Sequence, residues 1–110
     1  NVLCYAAQSG SLDCLKYAHE VIKATDYNNN NILRHAARSG SLACLMYAFN
    51  VIKATDFYNE VLNHTARSGS LACLTYAHKV IKANNDINVL SYAAESGSLA
   101  CIEYCKKHFS

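Results

Sequence analysis

The sequence predicts an all-α protein built as an α-solenoid, a row of stacked helix-turn-helix units that share one core. The first observation is a tandem repeat, because the tripeptide Ser-Gly-Ser begins at Ser9, Ser39, Ser68 and Ser96. The second is that each unit has a short and a longer apolar stretch, separated by this tripeptide. The third is composition: the 110 residues are 52% hydrophobic and only 16% charged, which excludes disorder.

The repeat divides the chain, a single predicted domain of residues 1–110, into four units without linkers. The units are residues 1–30, 31–59, 60–87 and 88–110. A helix of about eight residues cannot bury an apolar face alone, so neighbouring units are expected to stack.

The first helix of unit one is predicted from a helical stripe of apolar residues. Val2, Leu3, Ala6 and Ala7 recur at the spacings of one helix face. Gly10 then stands where a left-handed residue ends a helix.

The second helix is predicted to start after Ser11, whose side chain is suited to an N-cap. Its apolar stripe consists of Leu12, Leu15, Ala18 and Ile22, and the helix is expected to run to about Ala24. Three units place a lysine near the end of this helix, where a cation meets the negative end of the helix dipole: Lys23, Lys53 and Lys82.

The repeat resembles the ankyrin repeat, whose pattern of apolar, Ala-Ala and Gly positions is matched by Leu3, Ala6, Ala7, Gly10, Leu12 and Leu15. The period is shorter than the roughly 34 residues of tetratricopeptide units or 40 of HEAT units. The stretch CYAAQSGSLDCLKYAHE, residues 4–20, is similar to the divergent ankyrin arrays of large DNA viruses and some protists. The family's Thr-Pro-Leu-His reads Asn1-Val2-Leu3-Cys4 here, the chain has no Pro, and the Gly that ends the second helix is missing. A longer second helix without a β-hairpin finger is therefore expected.

Six cysteines permit disulfides, but the repeat argues against them. One helix position recurs as Cys14, Cys44, Cys73 and Cys101, and stacked helices are too far apart for a disulfide. These residues are expected to form a ladder of small core hydrophobes with free thiols, which suits a reducing cytosolic or nuclear location. Cys101, Cys105 and His108 share one helix face, but Cys105 occupies a packing column, so no metal site is assigned.

Charge and motifs point away from several function classes. The net charge of +2 is too small for a nucleic-acid or polybasic membrane binder, and no apolar run approaches a membrane span. No catalytic trio, paired carboxylates or phosphate-binding glycine loop occurs, so neither an enzyme nor a cofactor is expected. The column of Tyr5, His35, His64 and Tyr92 favours a ring packed between neighbours.

The ankyrin resemblance implies that a protein partner binds in a concave groove. The family's groove positions fall on the residues before the recurring Ser: Gln8, Arg38, Arg67 and Glu95. The connections between units add the aromatic residues Tyr27, Phe57 and Tyr58 as candidate contacts.

Two function classes remain open. The first is a non-enzymatic protein-interaction module whose Arg38 and Arg67 bind carboxylates of a partner. The second is a structural building block whose units stack end to end between chains into a homo-oligomer or filament. The apolar stripe of unit one looks open, whereas Lys106 and His108 partly cap unit four. We expect unit one to be covered either by further repeats upstream or by another copy of the chain.

Overall fold

The computed structural model describes residues 2–25, 31–55, 60–83 and 88–109. Within these ranges the predicted all-α architecture is confirmed, and no strand is formed. The helices are α1 (Val2–Gln8), α2 (Leu12–Lys16), α3 (Ile32–Ser39), α4 (Leu42–Asn50), α5 (Val61–Ser68), α6 (Leu71–Tyr76), α7 (Val89–Ser96) and α8 (Leu99–Phe109). Two of them continue as π-helical segments, α2 through Tyr17–Val21 and α6 through Ala77–Ile81.

Each Ser-Gly-Ser tripeptide forms the junction between the two helices of a unit, as predicted. In unit two the Ser39 hydroxyl donates to the Ala36 carbonyl at 2.6 Å and accepts from the Ser41 N–H at 3.0 Å. Gly40 has a φ of 75°, a left-handed conformation that ends α3 at little steric cost. The Ser41 hydroxyl then accepts from the Cys44 N–H at 3.2 Å and caps α4. The same bonds recur in the other three units.

The second helix of unit one ends earlier than the predicted Ala24. Its last helical residue is Val21, because Lys23 adopts a left-handed conformation with a φ of 60°. The Ala24 N–H then donates to the Ala18 carbonyl at 2.9 Å, a bond that reaches six residues back, one residue further than the 6→1 bond of a Schellman motif. Lys53 and Lys82 end their helices in the same way. Lysine therefore occupies the position that glycine usually takes.

The helices pack in two rows. The first helices of successive units contact one another in the order α1, α3, α5 and α7, and the second helices in the order α2, α4, α6 and α8. Within each unit the two helices also contact each other, so the core runs between the rows. The molecule measures 42 × 22 × 20 Å along its principal axes.

The cysteine ladder is correct at three of its four positions. All six thiols are free, and Cys44, Cys73 and Cys101 are completely buried. Cys14 is exposed instead, because no helix pair of the described residues covers that side of α2. Burial raises the pKa of the Cys105 thiol to about 11, so this group is protonated at neutral pH.

Polar side chains join the second helices of neighbouring units. The Tyr47 hydroxyl donates to Glu20 Oε1 at 3.1 Å and lies 2.9 Å from His19 Nδ1. Since the Tyr47 hydroxyl donates its only proton to Glu20, the bond to His19 requires a proton on His19 Nδ1. His78 contacts Tyr104 in the same way, with 2.6 Å between Nδ1 and the hydroxyl oxygen. A histidine–tyrosine contact therefore joins the second helices of units one and two, and another joins those of units three and four.

None of the helices in the described ranges is long and apolar enough to cross a membrane. The longest of them, α8, has 11 residues.

Candidate functional site

A polar cleft of about 280 Å³ lies where α3 packs on α5 and α5 on α7. We call it the arginine cleft, and it is lined by Arg34, Arg38, Glu60, Asn63, His64, Arg67 and Tyr92. Arg34 and Arg38 are four residues apart on α3, as Asn63 and Arg67 are on α5, so each pair lies on one helix face. Packing of the two helices brings these faces together.

Positive charge dominates the lining of the cleft, where three guanidinium groups face one carboxylate. Arg34 Nη1 is 3.1 Å from Glu60 Oε2, and Arg34 Nη2 donates to Asn31 Oδ1 at 3.0 Å. In the described parts of the chain, Arg38 has no carboxylate within ion-pair distance. The positive charge of Arg38 is therefore not balanced by an ion pair within these parts of the chain.

Arg67 is held at the other side of the cleft by two neighbours from unit four. Its guanidinium lies over the Tyr92 ring, 4.7 Å from the ring centroid. Its Nη2 is 3.4 Å from Glu95 Oε1, in an exposed pair that contributes only about 0–1 kcal/mol to stability. The ring orients the guanidinium, and the weak pair leaves it able to exchange Glu95 for another anion.

His64 forms the floor between the arginines, and its side chain is 12% exposed. Burial lowers the pKa of His64, and the nearby charge of Arg38 lowers it further. Arg34 and Arg67 act in the same direction, whereas Glu60, whose Oε2 is 3.8 Å from His64 Nε2, opposes them. The imidazole is therefore neutral at pH 7 and gains a proton only in more acidic solution or beside an added anion.

The predicted groove residues separate into three groups in the structure. Arg38 and Arg67 line the arginine cleft together, and Glu95 lies at its edge in the ion pair with Arg67. Gln8 lies apart from the cleft, where its Oε1 forms a hydrogen bond with His35 Nδ1. The predicted contact residues Tyr27, Phe57 and Tyr58 fall outside the described residues.

The sequence did not indicate Arg34, Glu60 and Asn63 as lining residues, and it favoured packing over proton transfer as the role of His64. A signal for two of them was present, because Arg34 precedes Arg38 by four residues and Asn63 precedes Arg67 by four. No local signal identifies Glu60, since its role depends on the neighbouring unit that carries Arg34.

Metal binding has no support in the part of the chain that the structure describes, where no three His, Cys, Asp or Glu side chains are grouped suitably for an ion. No protein-family model and no curated protein matches this chain. A candidate function therefore has to come from the geometry and charge of the arginine cleft.

Proposed function

We propose that this protein is an ankyrin-like α-solenoid that acts as a protein-interaction module and binds an acidic segment of a partner protein in the arginine cleft. The observation that carries the proposal is the convergence of Arg38 and Arg67 on one cleft with an excess of positive charge. Guanidinium groups are planar forks that match carboxylates with two parallel hydrogen bonds.

The packing of the helices supports the solenoid part of the proposal. First helices contact first helices and second helices contact second helices along the whole order of units, and the four junctions share the same hydrogen bonds. In such an array, each cleft between neighbouring first helices is lined by residues of two or more units. Binding surfaces can therefore vary while the junctions stay the same.

The dimensions and contacts of the cleft favour a carboxylate side chain as the ligand group. A volume of about 280 Å³ can hold one or two short side chains, whereas Glu60 already neutralises Arg34 on one wall. An incoming carboxylate would pair with Arg38 and would compete with Glu95 for Arg67. Both arginines are exposed, so a partner can reach them without moving the helices.

The test uses a fluorescent, unstructured peptide rich in glutamate and a glutamine peptide of equal length. We expect the acidic peptide to bind more tightly, with an affinity that falls as salt is added. The double variant Arg38→Glu/Arg67→Glu should abolish this binding, measured by fluorescence anisotropy, with little change in the melting temperature.

A matched control makes the same change of charge elsewhere, at Lys16 and Lys79, which are exposed on the second helices. The variant Lys16→Glu/Lys79→Glu should keep most of the affinity, because neither residue lines the cleft. Equal losses in both double variants would mean that only net charge matters. Equal binding of the two peptides to the original protein would rule out recognition of carboxylates.

A further inference from the structure

Units one and four, at the two ends of the molecule, each expose apolar side chains whose equivalents are buried between neighbouring units inside the chain. The apolar side chains of unit one that are more than half exposed include Val2 at 56%, Tyr17 at 57% and Ile22 at 54%. The side chains at the same positions of unit two are covered by unit one: Ile32 at 0%, Tyr47 at 7% and Ile52 at 8%. We call the exposed surface of Val2, Cys14, Tyr17 and Ile22 the front face, and a hollow of about 560 Å³ lies on it.

The opposite end exposes the positions that cover a front face inside the chain. Leu90, Ala94 and Leu99 are exposed in unit four, Leu90 at 38% and Leu99 at 67%, and we call this surface the back face. The residues equivalent to Leu90 in the first three units are at most 1% exposed: Leu3, Leu33 and Leu62. Those equivalent to Ala94 are completely buried: Ala7, Ala37 and Ala66. The partial capping by Lys106 and His108 predicts a mostly polar end for unit four. The back face instead exposes more apolar surface than this prediction implies.

Polar groups at the two ends are compatible with the same contact. Inside the chain, Gln8 meets His35 of the next unit, and Arg67 meets Tyr92 and Glu95 of the next unit. By the same register, Glu95 of one copy would meet Tyr5 and Gln8 of another, and both of these can donate hydrogen bonds to a carboxylate.

Polar residues of the second helices are also compatible with this contact between copies. His19 and His78 each meet a tyrosine of the next unit, and Lys106 occupies the equivalent position in unit four. Its ammonium group can donate to the hydroxyl of Tyr17 in another copy. This register thus places no like charges against each other at the polar positions named.

We propose that the chain associates head to tail with further copies of itself, the back face of one copy covering the front face of the next. A second copy is the occupant that fits because the same chain carries both halves of a contact that it already forms three times internally. The two faces lie at opposite ends of the order of units, so one copy cannot satisfy both with a single partner. Such a heterologous contact gives open chains of copies rather than a closed dimer.

The test blocks each face separately with exposed positions, so that folding is preserved. The front-blocked variant is Tyr17→Glu/Ile22→Glu, and the back-blocked variant is Ala94→Glu/Leu99→Glu. Light scattering should show that the mean mass of the unmodified protein rises with concentration past twice the chain mass. Each blocked variant should stay monomeric, with an unchanged circular dichroism spectrum.

An equimolar mixture of the two variants provides the decisive measurement, since it contains one intact front face and one intact back face. We expect its mass to rise to twice the chain mass and to stop there. A dimer that the front-blocked variant loses but the back-blocked variant keeps would overturn the proposal in favour of a front-to-front contact. A monomer at every concentration of the unmodified protein would also overturn it and assign the front face to a different occupant.

Cys14 provides a second readout because it lies on the front face and is the exposed cysteine. Its alkylation should slow several-fold as the protein concentration rises and stay constant in the back-blocked variant. The variant Arg38→Glu/Arg67→Glu should associate like the unmodified protein, so this proposal and the acidic-segment proposal can fail independently.

Discussion

At the scale of single residues, His64 shows how a repeat position acquires a particular chemistry. Its column contains two tyrosines and two histidines, and the sequence favours a ring packed between neighbours. The structure confirms that the ring is largely buried and places it among Arg34, Arg38 and Arg67. Burial and these charges lower its pKa, which links the protonation of this side chain to the stability of the fold.

The pH dependence of stability should therefore contain a contribution from His64. The unfolded chain binds this proton at about pH 6.5, whereas the folded protein binds it only at lower pH. Between these two values the unfolded state holds more protons, so the free energy of unfolding falls as the pH drops below 6.5 and is unaffected above it. The variant His64→Gln should show a shallower loss of stability in urea titrations between pH 7 and pH 5.

The comparison must be made between the two proteins at each pH, because other ionisable groups also contribute to the pH dependence of stability. Identical slopes for the original protein and His64→Gln would contradict the lowered pKa. A steeper slope in the variant would mean that the pKa is raised and that Glu60 outweighs the arginines.

At the scale of helices, the two ends of the second helix are determined in different ways. The serine N-cap is a common and favourable solution. The lysine at the C-terminal end is unusual, because a residue with a Cβ is strained in the left-handed region by about 1–2 kcal/mol. Three units nevertheless carry lysine there, with φ values of 60°, 61° and 59°. The alanine that follows each lysine is half-buried or buried, and its N–H donates to the carbonyl six residues earlier, which holds this conformation in place.

Replacing Lys53 by glycine should stabilise the protein. Relief of the left-handed strain exceeds the extra chain entropy that glycine loses on folding, so we expect a gain of about 0.5–1 kcal/mol in the free energy of unfolding. The matched control Lys53→Ala removes the charge but keeps the Cβ atom, and it should give no gain. Urea denaturation of both variants measures the difference, and equal stabilities would show that the backbone at residue 53 is not strained.

At the scale of the whole molecule, the position of a unit in the row determines how far its side chains are buried and therefore how much they contribute to stability. Leu33 and Leu90 are the second residues of their helices and occupy the same repeat position. Leu33 is completely buried because a unit follows it, whereas Leu90 is 38% exposed. The two leucines therefore share one repeat position but differ in burial.

Truncation at these two positions should have unequal costs. Leu33→Ala removes a fully buried side chain and leaves a cavity, so it should lower the free energy of unfolding by about 2–5 kcal/mol. Leu90→Ala should cost less than about 2 kcal/mol, because part of the side chain is already in water. The measurement should use dilute protein, since self-association would cover Leu90. Equal costs would mean that Leu90 is buried in solution.

Much of the fold follows from the sequence because its determinants act over a few residues. Ser39, Gly40 and Ser41 end one helix and start the next through bonds that span at most three residues, and the repeat copies this junction four times. The helix bounds near these junctions were therefore predictable. The left-handed Lys23 was not, because lysine has no preference for that conformation and its cost is offset by the bond from the Ala24 N–H to the Ala18 carbonyl.

The sequence by itself determined the helical class, the four units and the free cysteines, since these depend on composition, spacing and local hydrogen bonding. Only the tertiary structure decided which polar residues form the arginine cleft. Arg38 and Arg67 were predictable as surface residues, but Glu60 pairs with Arg34 from a different unit, 26 positions away in the sequence. Such a contact depends on the distance and rotation between packed helices, which no short stretch of sequence specifies. For the same physical reason Cys14 is exposed and Cys44 is buried, although both occupy the same repeat position.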